Sequence, residues 1–229
     1  MVAIYDSTDG DNWDNNSGWL ETDTPPCNWD GVTCDDELVT KLYFYGNNLN
    51  GILPSEIGNL TNLTYLGLGH NQLTSLPPEI GNLTNLTYLD LGHNQLTSLP
   101  PGIGNLTNLY EIILHSNQFS SLPPEIGNLT NLKDLWLNYN RPLNGPLPAY
   151  LTTFKQLNEF DFKGTDLCES QDKIFQDWLN NLIDVRSTDV DCLHLILTHV
   201  PDSAIDDIET FLNDNNVVLI IRLIKFKLF

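Results

Sequence analysis

Basic residues are scarce in this chain. Ten Lys and Arg stand against 30 Asp and Glu in 229 residues, a formal net charge of −20 with histidine neutral. Nucleic acids are bound by clustered cations that replace the counterions of the phosphates, so this charge balance argues against such a partner. A cationic or neutral partner remains. Long apolar runs are missing too. No stretch of 18 apolar residues occurs, so no membrane-spanning helix is expected. The opening Met1-Val2-Ala3-Ile4-Tyr5 has neither the basic start nor the apolar core of a signal peptide, as expected of a chain that begins after one was removed or lost. Cysteine is limited to four residues. Outside them no nucleophile, base and orienting group are evident, so neither an enzyme activity nor a cofactor is expected. The length fits one domain, with room for a tail.

What the chain has instead is repetition. Leu63-Thr64-Tyr65-Leu66-Gly67-Leu68-Gly69-His70-Asn71-Gln72-Leu73 returns 23 residues later as Leu86-Thr87-Tyr88-Leu89-Asp90-Leu91-Gly92-His93-Asn94-Gln95-Leu96. The same frame starts at Val39, Leu63, Leu86, Leu109, Leu132 and Leu157, in steps of 24, 23, 23, 23 and 25. The period, with L-x-x-L-x-L-x-x-N-x-L inside it, is identified as the leucine-rich repeat. In x-L-x-L-x a strand turns both leucines to one face and the residues between them to the other. Leu73, Leu76, Ile80 and Leu83 then return the chain over the same interior. One unit cannot stand alone, and stability belongs to the stack. The expected fold class is therefore α/β, a solenoid with six parallel strands. Asn47, Asn71, Asn94, Asn117 and Asn140 share one frame position, with Thr165 in the last unit. A side-chain amide there donates to and accepts from backbone groups where the chain leaves the sheet, a structural need that explains every copy.

Residues 1–38 lie outside the frame and contain Trp13, Trp19 and Trp29 with Cys27 and Cys34. Aromatics on a short cap are a direct way to cover the core leucines exposed at a solenoid end. Trp19-Leu20, then Cys27-Asn28-Trp29-Asp30-Gly31-Val32-Thr33-Cys34, then Val39-Thr40-Lys41-Leu42, resemble the N-terminal cap of plant-type extracellular leucine-rich-repeat proteins. That group includes receptor-kinase ectodomains and polygalacturonase-inhibiting proteins, with bacterial relatives. The resemblance implies protein or peptide binding outside the cell, with inhibition of a secreted hydrolase as a variant. Leu49-Asn50-Gly51-Ile52-Leu53-Pro54 and Leu143-Asn144-Gly145-Pro146-Leu147-Pro148 carry the plant-type turn, whereas the three units between them use a shorter one. After the last strand, Cys168, an N-cap at Ser170, a helix face of Ile174, Phe175, Trp178, Leu179 and Leu182, and Cys192 resemble the C-terminal cap of bacterial members.

The expected organisation is an N-terminal cap at 1–38, six repeats over 39–167, a helical cap at 168–192 and a tail at 193–229. In the tail, Val217 to Phe229 is apolar with Arg222, Lys225 and Lys227 interrupting it. An added strand, a membrane-surface segment and an end foreign to the fold all stay open there. Four cysteines allow three pairings. The caps lie about 24 Å apart across six strands, and a disulfide needs Cα atoms within about 7 Å. The expected bonds are thus Cys27–Cys34 and Cys168–Cys192, which favour an extracellular or cell-surface location.

The run from Asp6 to Asp14 is as oxygen-rich as a calcium loop, but Ser17 stands where the bidentate Glu would be, and a polar turn is expected. Seven N-x-[ST] sites occur, six of them dictated by Gly-Asn-Leu-Thr-Asn-Leu, and they permit glycosylation in a secreting eukaryote. His70 and His93 recur at one frame position without an evident third metal ligand, since Ser116 follows and His115 sits one place earlier. Polar exit residues, not a metal site, are the expectation.

Binding is expected on the outward strand positions of the concave face. The third frame position reads Lys41, Tyr65, Tyr88, Glu111, Asp134, Glu159. The fifth reads Tyr43, Gly67, Asp90, Ile113, Trp136, Asp161, and the seventh Tyr45, Gly69, Gly92, His115, Asn138, Lys163. Aromatics among acids suit a recognition surface for a protein or peptide of basic character. A solvated face without function, or a spacer or adhesin on the same scaffold, is the competing reading. A spacer calls for uniform outward residues, and these differ from unit to unit.

Overall fold

The computed structural model describes residues 1–169 and 173–188. Strands β1 (Val32–Asp35) and β2 (Leu38–Tyr43) form an antiparallel hairpin. It turns through Asp36 and Glu37 at φ 45° and 64°, the consecutive left-handed residues that a two-residue hairpin needs to match strand twist. From β2 onward every pairing in this sheet is parallel. The order continues with β3 (Tyr65–Gly67), β4 (Tyr88–Asp90), β5 (Glu111–Ile113), β6 (Asp134–Trp136), β7 (Glu159–Asp161) and β8 (Asp184–Arg186). Strands β2 to β7 are the six frame strands. The leucine frame does not announce β8, which falls inside the segment expected to be a helical cap.

The register is unbroken. Lys41, Tyr65, Tyr88, Glu111, Asp134, Glu159 and Asp184 align in one row across the sheet. The next row, pointing inward, is Leu42, Leu66, Leu89, Ile112, Leu135, Phe160 and Val185. Its first six members are fully buried, so the strands stack their side chains into one continuous core. Behind the sheet, 3-10 turns at Ser55–Asn59, Pro78–Asn82, Pro101–Asn105, Pro124–Asn128 and Ala149–Thr153 return the chain. In the middle three a proline opens the turn, where its fixed φ fits and its missing N–H costs nothing. The described α-helices are two short ones at the ends, α1 (Val2–Ser7) and α2 (Lys173–Leu179).

Where each strand ends, the eighth frame residue takes a left-handed conformation. Gly46, His70, His93, Ser116, Tyr139 and Gly164 have φ of 61°, 57°, 50°, 55°, 59° and 71°. The asparagine that follows ties its repeat to the one before. Asn94 Nδ2 donates to Leu68 O at 2.9 Å while its Oδ1 accepts from Leu73 N at 2.9 Å. Asn71, Asn117 and Asn140 make the equivalent pair of bonds. Asn47 has no repeat before it, and bonds instead to the backbone of Asn15 in the cap. Among the described residues, the Thr165 hydroxyl bonds to Phe162 O and Leu167 N of its own unit.

At the N-terminal end Trp13, Trp19 and Trp29 are all buried, and their indole N–H groups donate to Thr8, Asp30 and Thr24 carbonyls. Trp13 and Trp19 both pack on Phe44, an inward residue of the first repeat. The Cys27–Cys34 disulfide is formed, with Cα atoms 5.5 Å apart. The Asp6 to Asp14 run is a polar turn in which Tyr5 Oη donates to Asp11 and Asn12 Nδ2 to Asp9. At the other end Phe175, Trp178 and Leu179 of α2 are buried and Leu182 packs beside them. Ile174 does not join that face and is 73% exposed. Phe175, Trp178, Leu179 and Leu182 already fill the i, i+3, i+4, i+7 stripe, and Ile174 falls off its edge. Ser170, Cys192 with its expected bond to Cys168, and the tail at 193–229 lie outside the described residues.

Candidate functional site

The outward positions of β2 to β8 form one surface. In its first half rings prevail, beside Lys41 and Asp90. Tyr43 and Tyr65 lie 4.6 Å apart between centroids, and Tyr65 and Tyr88 stack at 4.4 Å with planes 2° apart. Stacked on each other across the strands, Tyr65 and Tyr88 are half-buried, and burial raises both hydroxyl pKa values, that of Tyr88 strongly. Asp90 and Glu111 nearby push Tyr88 the same way. Tyr43 at 45% and Tyr45 at 62% exposure remain open to a partner.

A second line of rings follows the left-handed exit residues. Tyr45 to His70 is 4.7 Å, His70 to His93 is 3.9 Å, and His93 to His115 is 4.8 Å edge-on. Burial and, after it, the neighbouring imidazoles hold His93 and His115 below the usual histidine pKa. The sequence placed His70 and His93 on one line but gave no sign that His115, one frame position earlier, would close the row. Glycine makes this possible. A Cβ on Gly69 would sit 2.6 Å from the Asp90 carboxylate, and one on Gly92 would sit 3.0 Å from the His115 ring. Among the described residues no group of three or more His, Cys, Asp or Glu is placed to hold a metal ion.

Two of the expected binding acids are largely buried. Asp90 is 8% exposed and accepts from Gly92 N at 2.9 Å, and Asp161 is 7% exposed and accepts from Lys163 N at 3.0 Å. Burial raises the pKa of both. Glu111 and Asp134 are half-buried and also shifted upward by burial, Glu111 further by Asp134, Asp90 and Glu159. Ile113, Asn138 and Glu159 complete the surface as half-buried neighbours.

Sequence reasoning missed Asp184 and Arg186. Arg186 Nη2 donates to Asp184 Oδ2 at 2.9 Å, Nη1 stands 3.8 Å from Asp161 Oδ2, and the guanidinium carbon is 5.4 Å from the Trp136 ring centroid. The one available signal was the polar–apolar–polar alternation of Asp184-Val185-Arg186.

A capped parallel solenoid with a varied outer face defines a leucine-rich-repeat protein, and comparison with known proteins agrees. The family model for the leucine-rich repeat region matches residues 39–213, and that for the leucine rich repeat N-terminal domain matches residues 1–35. The chain belongs to the leucine-rich repeat family and carries the plant-type extracellular N-terminal cap. It is 49% identical over 57 residues to the probable inactive receptor kinase RLK902 of Arabidopsis thaliana, which is 24% of this chain and 9% of that protein. Two solved structures are similar at 30% identity, each over 68% of this chain. One is the ectodomain of GASSHO1/SCHENGEN3 from Arabidopsis thaliana in complex with CASPARIAN STRIP INTEGRITY FACTOR 2, with a TM-score of 0.60 and 21% of that chain covered. The other is a chain of the BIR3–SERK2 complex from the same plant, with a TM-score of 0.57 and 85% covered. The chain thus spans less than a tenth of the receptor kinase and about a fifth of the first ectodomain. No helix among the described residues is long and apolar enough to cross a membrane.

Proposed function

We propose that this chain is a non-catalytic recognition module, acting outside the cell or at its surface, that binds a protein or peptide of basic character along the outer face of its sheet. The carrying observation is a gradient along that face: tyrosine and histidine rings prevail over β2 to β4, beside Lys41 and Asp90, and carboxylates prevail over β5 to β8, beside Ile113, Trp136 and Arg186. The inward row repeats apolar residues while the outward rows change at each strand, which a mere spacer does not require. The two similar plant structures, one in complex with CASPARIAN STRIP INTEGRITY FACTOR 2 and one of a BIR3–SERK2 pair, support binding as the use of such a fold. An apolar part of the partner lies at the tyrosines and a basic part over Glu111, Asp134, Glu159 and Asp161.

The test is capture of secreted proteins and peptides by the immobilised chain, followed by affinity measurement with variants. Trp136→Ala is expected to cost about 2 kcal/mol or more if the indole anchors the partner. Reversing Asp134 to Lys slows association, and added salt slows it in the native chain. Glu125→Lys, exposed in the turn behind the sheet, leaves affinity unchanged. A partner whose affinity ignores both Trp136 and the acidic row would overturn the assignment.

A further inference from the structure

The fifth-position row of the face ends in Trp136, Asp161 and Arg186, each aligned beside the next on neighbouring strands. From the outermost of these, Arg186 turns back across Asp161 until its guanidinium lies over the Trp136 ring. The cleft bounded by Trp136, Glu159, Phe160, Asp161, Asp184 and Arg186 has, with the arginine in place, no room for a water. One polar atom of the cleft's lining, Trp136 Nε1, is buried without a hydrogen-bond partner, as is the Oδ1 of Asn138, two residues further along the chain. Unpaired buried groups on a surface mark a place that is incomplete as it stands.

We propose that this box of one indole and three carboxylates is a subsite for an arginine side chain of the ligand, and that Arg186 is the chain's own occupant of it. This rests on the reading of the sheet face as the binding surface. The chemistry favours guanidinium over ammonium. A planar, delocalised cation stacks on an indole and offers a fork of N–H donors to flanking carboxylates, whereas a compact ammonium does one or the other. Asp161 is the fixed element, since its buried carboxylate is tethered to Lys163 N and keeps the remaining oxygen for a cation. Arg186 is the replaceable element. Its side chain is 50% exposed and its shortest ion pair is to Asp184, itself 42% exposed, so water screens that pair, while Asp161 at 3.8 Å and the Trp136 ring at 5.4 Å hold it more loosely. A ligand arginine arrives with further contacts along the face and displaces it. The occupant also lowers apparent affinity, because the empty form is only a fraction of the population. Arg186 therefore sets a threshold that ligands without an arginine at this point do not pass.

The probe is N-acetyl-arginine amide, titrated calorimetrically and by the indole ¹H–¹⁵N resonance of Trp136, with N-acetyl-lysine amide beside it. Arg186→Ala and the longer Arg186→Gln should each bind the arginine probe at least fivefold more tightly than the native chain. The Trp136 indole resonance should shift on binding, and the lysine probe should show a smaller gain. Adding Asp161→Asn to either variant should abolish the gain. Equal affinity in native and variant chains, or a gain that survives Asp161→Asn, would refute the subsite. The small probe needs no natural partner, so failure of the recognition reading and failure of this one are separate results.

Discussion

Asn94 illustrates how much rests on single side chains. One carboxamide satisfies the carbonyl of Leu68 and the N–H of Leu73 in the preceding repeat, and a second carbonyl, that of Leu91, in its own. None of these groups has water to turn to, since Asn94 is 8% exposed and the three leucines are at the core. A buried donor or acceptor left unpaired costs about 1–3 kcal/mol. Asn94→Ala should therefore lose about 2–4 kcal/mol, read as a lower urea midpoint, while the exposed Gln118→Ala should stay within about 0.5 kcal/mol of the parent. The same side chain appears at the sequence level as one letter in a period. Its role was legible because a buried bend must have its backbone groups paired.

At the scale of elements, the N-terminal cap depends on a short covalent loop and an aromatic cluster. Closing the loop between Cys27 and Cys34 removes chain entropy from the unfolded state, worth about 2–3 kcal/mol on a loop-closure estimate. Replacing both cysteines by serine should lower the thermal midpoint, and tryptophan fluorescence should report the cap opening before the sheet signal is lost. Strands β2 to β7 were readable from leucine alternation within a fixed period, and the cap from tryptophans and cysteines at characteristic spacing. Strand β8 was not. It has three residues and one apolar side chain, and it is a strand because the edge of β7 offers it a partner, a tertiary cause with no local mark. Missing β8 meant missing Arg186, and with it the real surroundings of Trp136. The outward direction of Tyr65 and Tyr88 followed from alternation, but their face-to-face stacking did not, because rotamers depend on what neighbouring strands leave free.

In the molecule as a whole, six carboxylates, Asp90, Glu111, Asp134, Glu159, Asp161 and Asp184, gather on the outer face of the sheet, and pH should act on the four whose pKa values are shifted. Asp90, Glu111, Asp134 and Asp161 have folded-state pKa values above the ordinary carboxylate range, burial being the main cause. A raised carboxylate binds its proton more readily folded than unfolded. These four therefore destabilise the fold at neutral pH, and stability recovers as pH falls through their folded pKa values. His93 and His115 act oppositely. Their lowered pKa values favour the neutral ring in the fold, so their contribution is lost as pH drops below about 6.5. With four groups against two and a net charge of −20 being relieved, the thermal midpoint should be higher at pH 4.5 than at pH 7, most clearly at low salt. His93→Ala should steepen that rise. A midpoint that falls steadily with acidification would contradict the assignment of these carboxylates.

The asparagine ladder also means that the protein keeps no count of its own length. Each Asn addresses only its predecessor, and every predecessor offers the same carbonyl and the same N–H, so a unit cannot tell how many precede it. Only Asn47, bonded to the cap, and Thr165, bonded within its own unit, mark a beginning and an end. A gene encoding such a chain can gain or lose copies by unequal exchange between its near-identical 63–85 and 86–108 segments without leaving a broken joint in the product. Excision of 86–108 should give a chain that still unfolds cooperatively, with the unit at 63 stacked on the unit at 109. Its outer sheet face would be shorter by one strand, about 4.8 Å, with Tyr65 now abutting Glu111. Copy number is a coarser and faster dial than substitution, and this architecture leaves it free to turn.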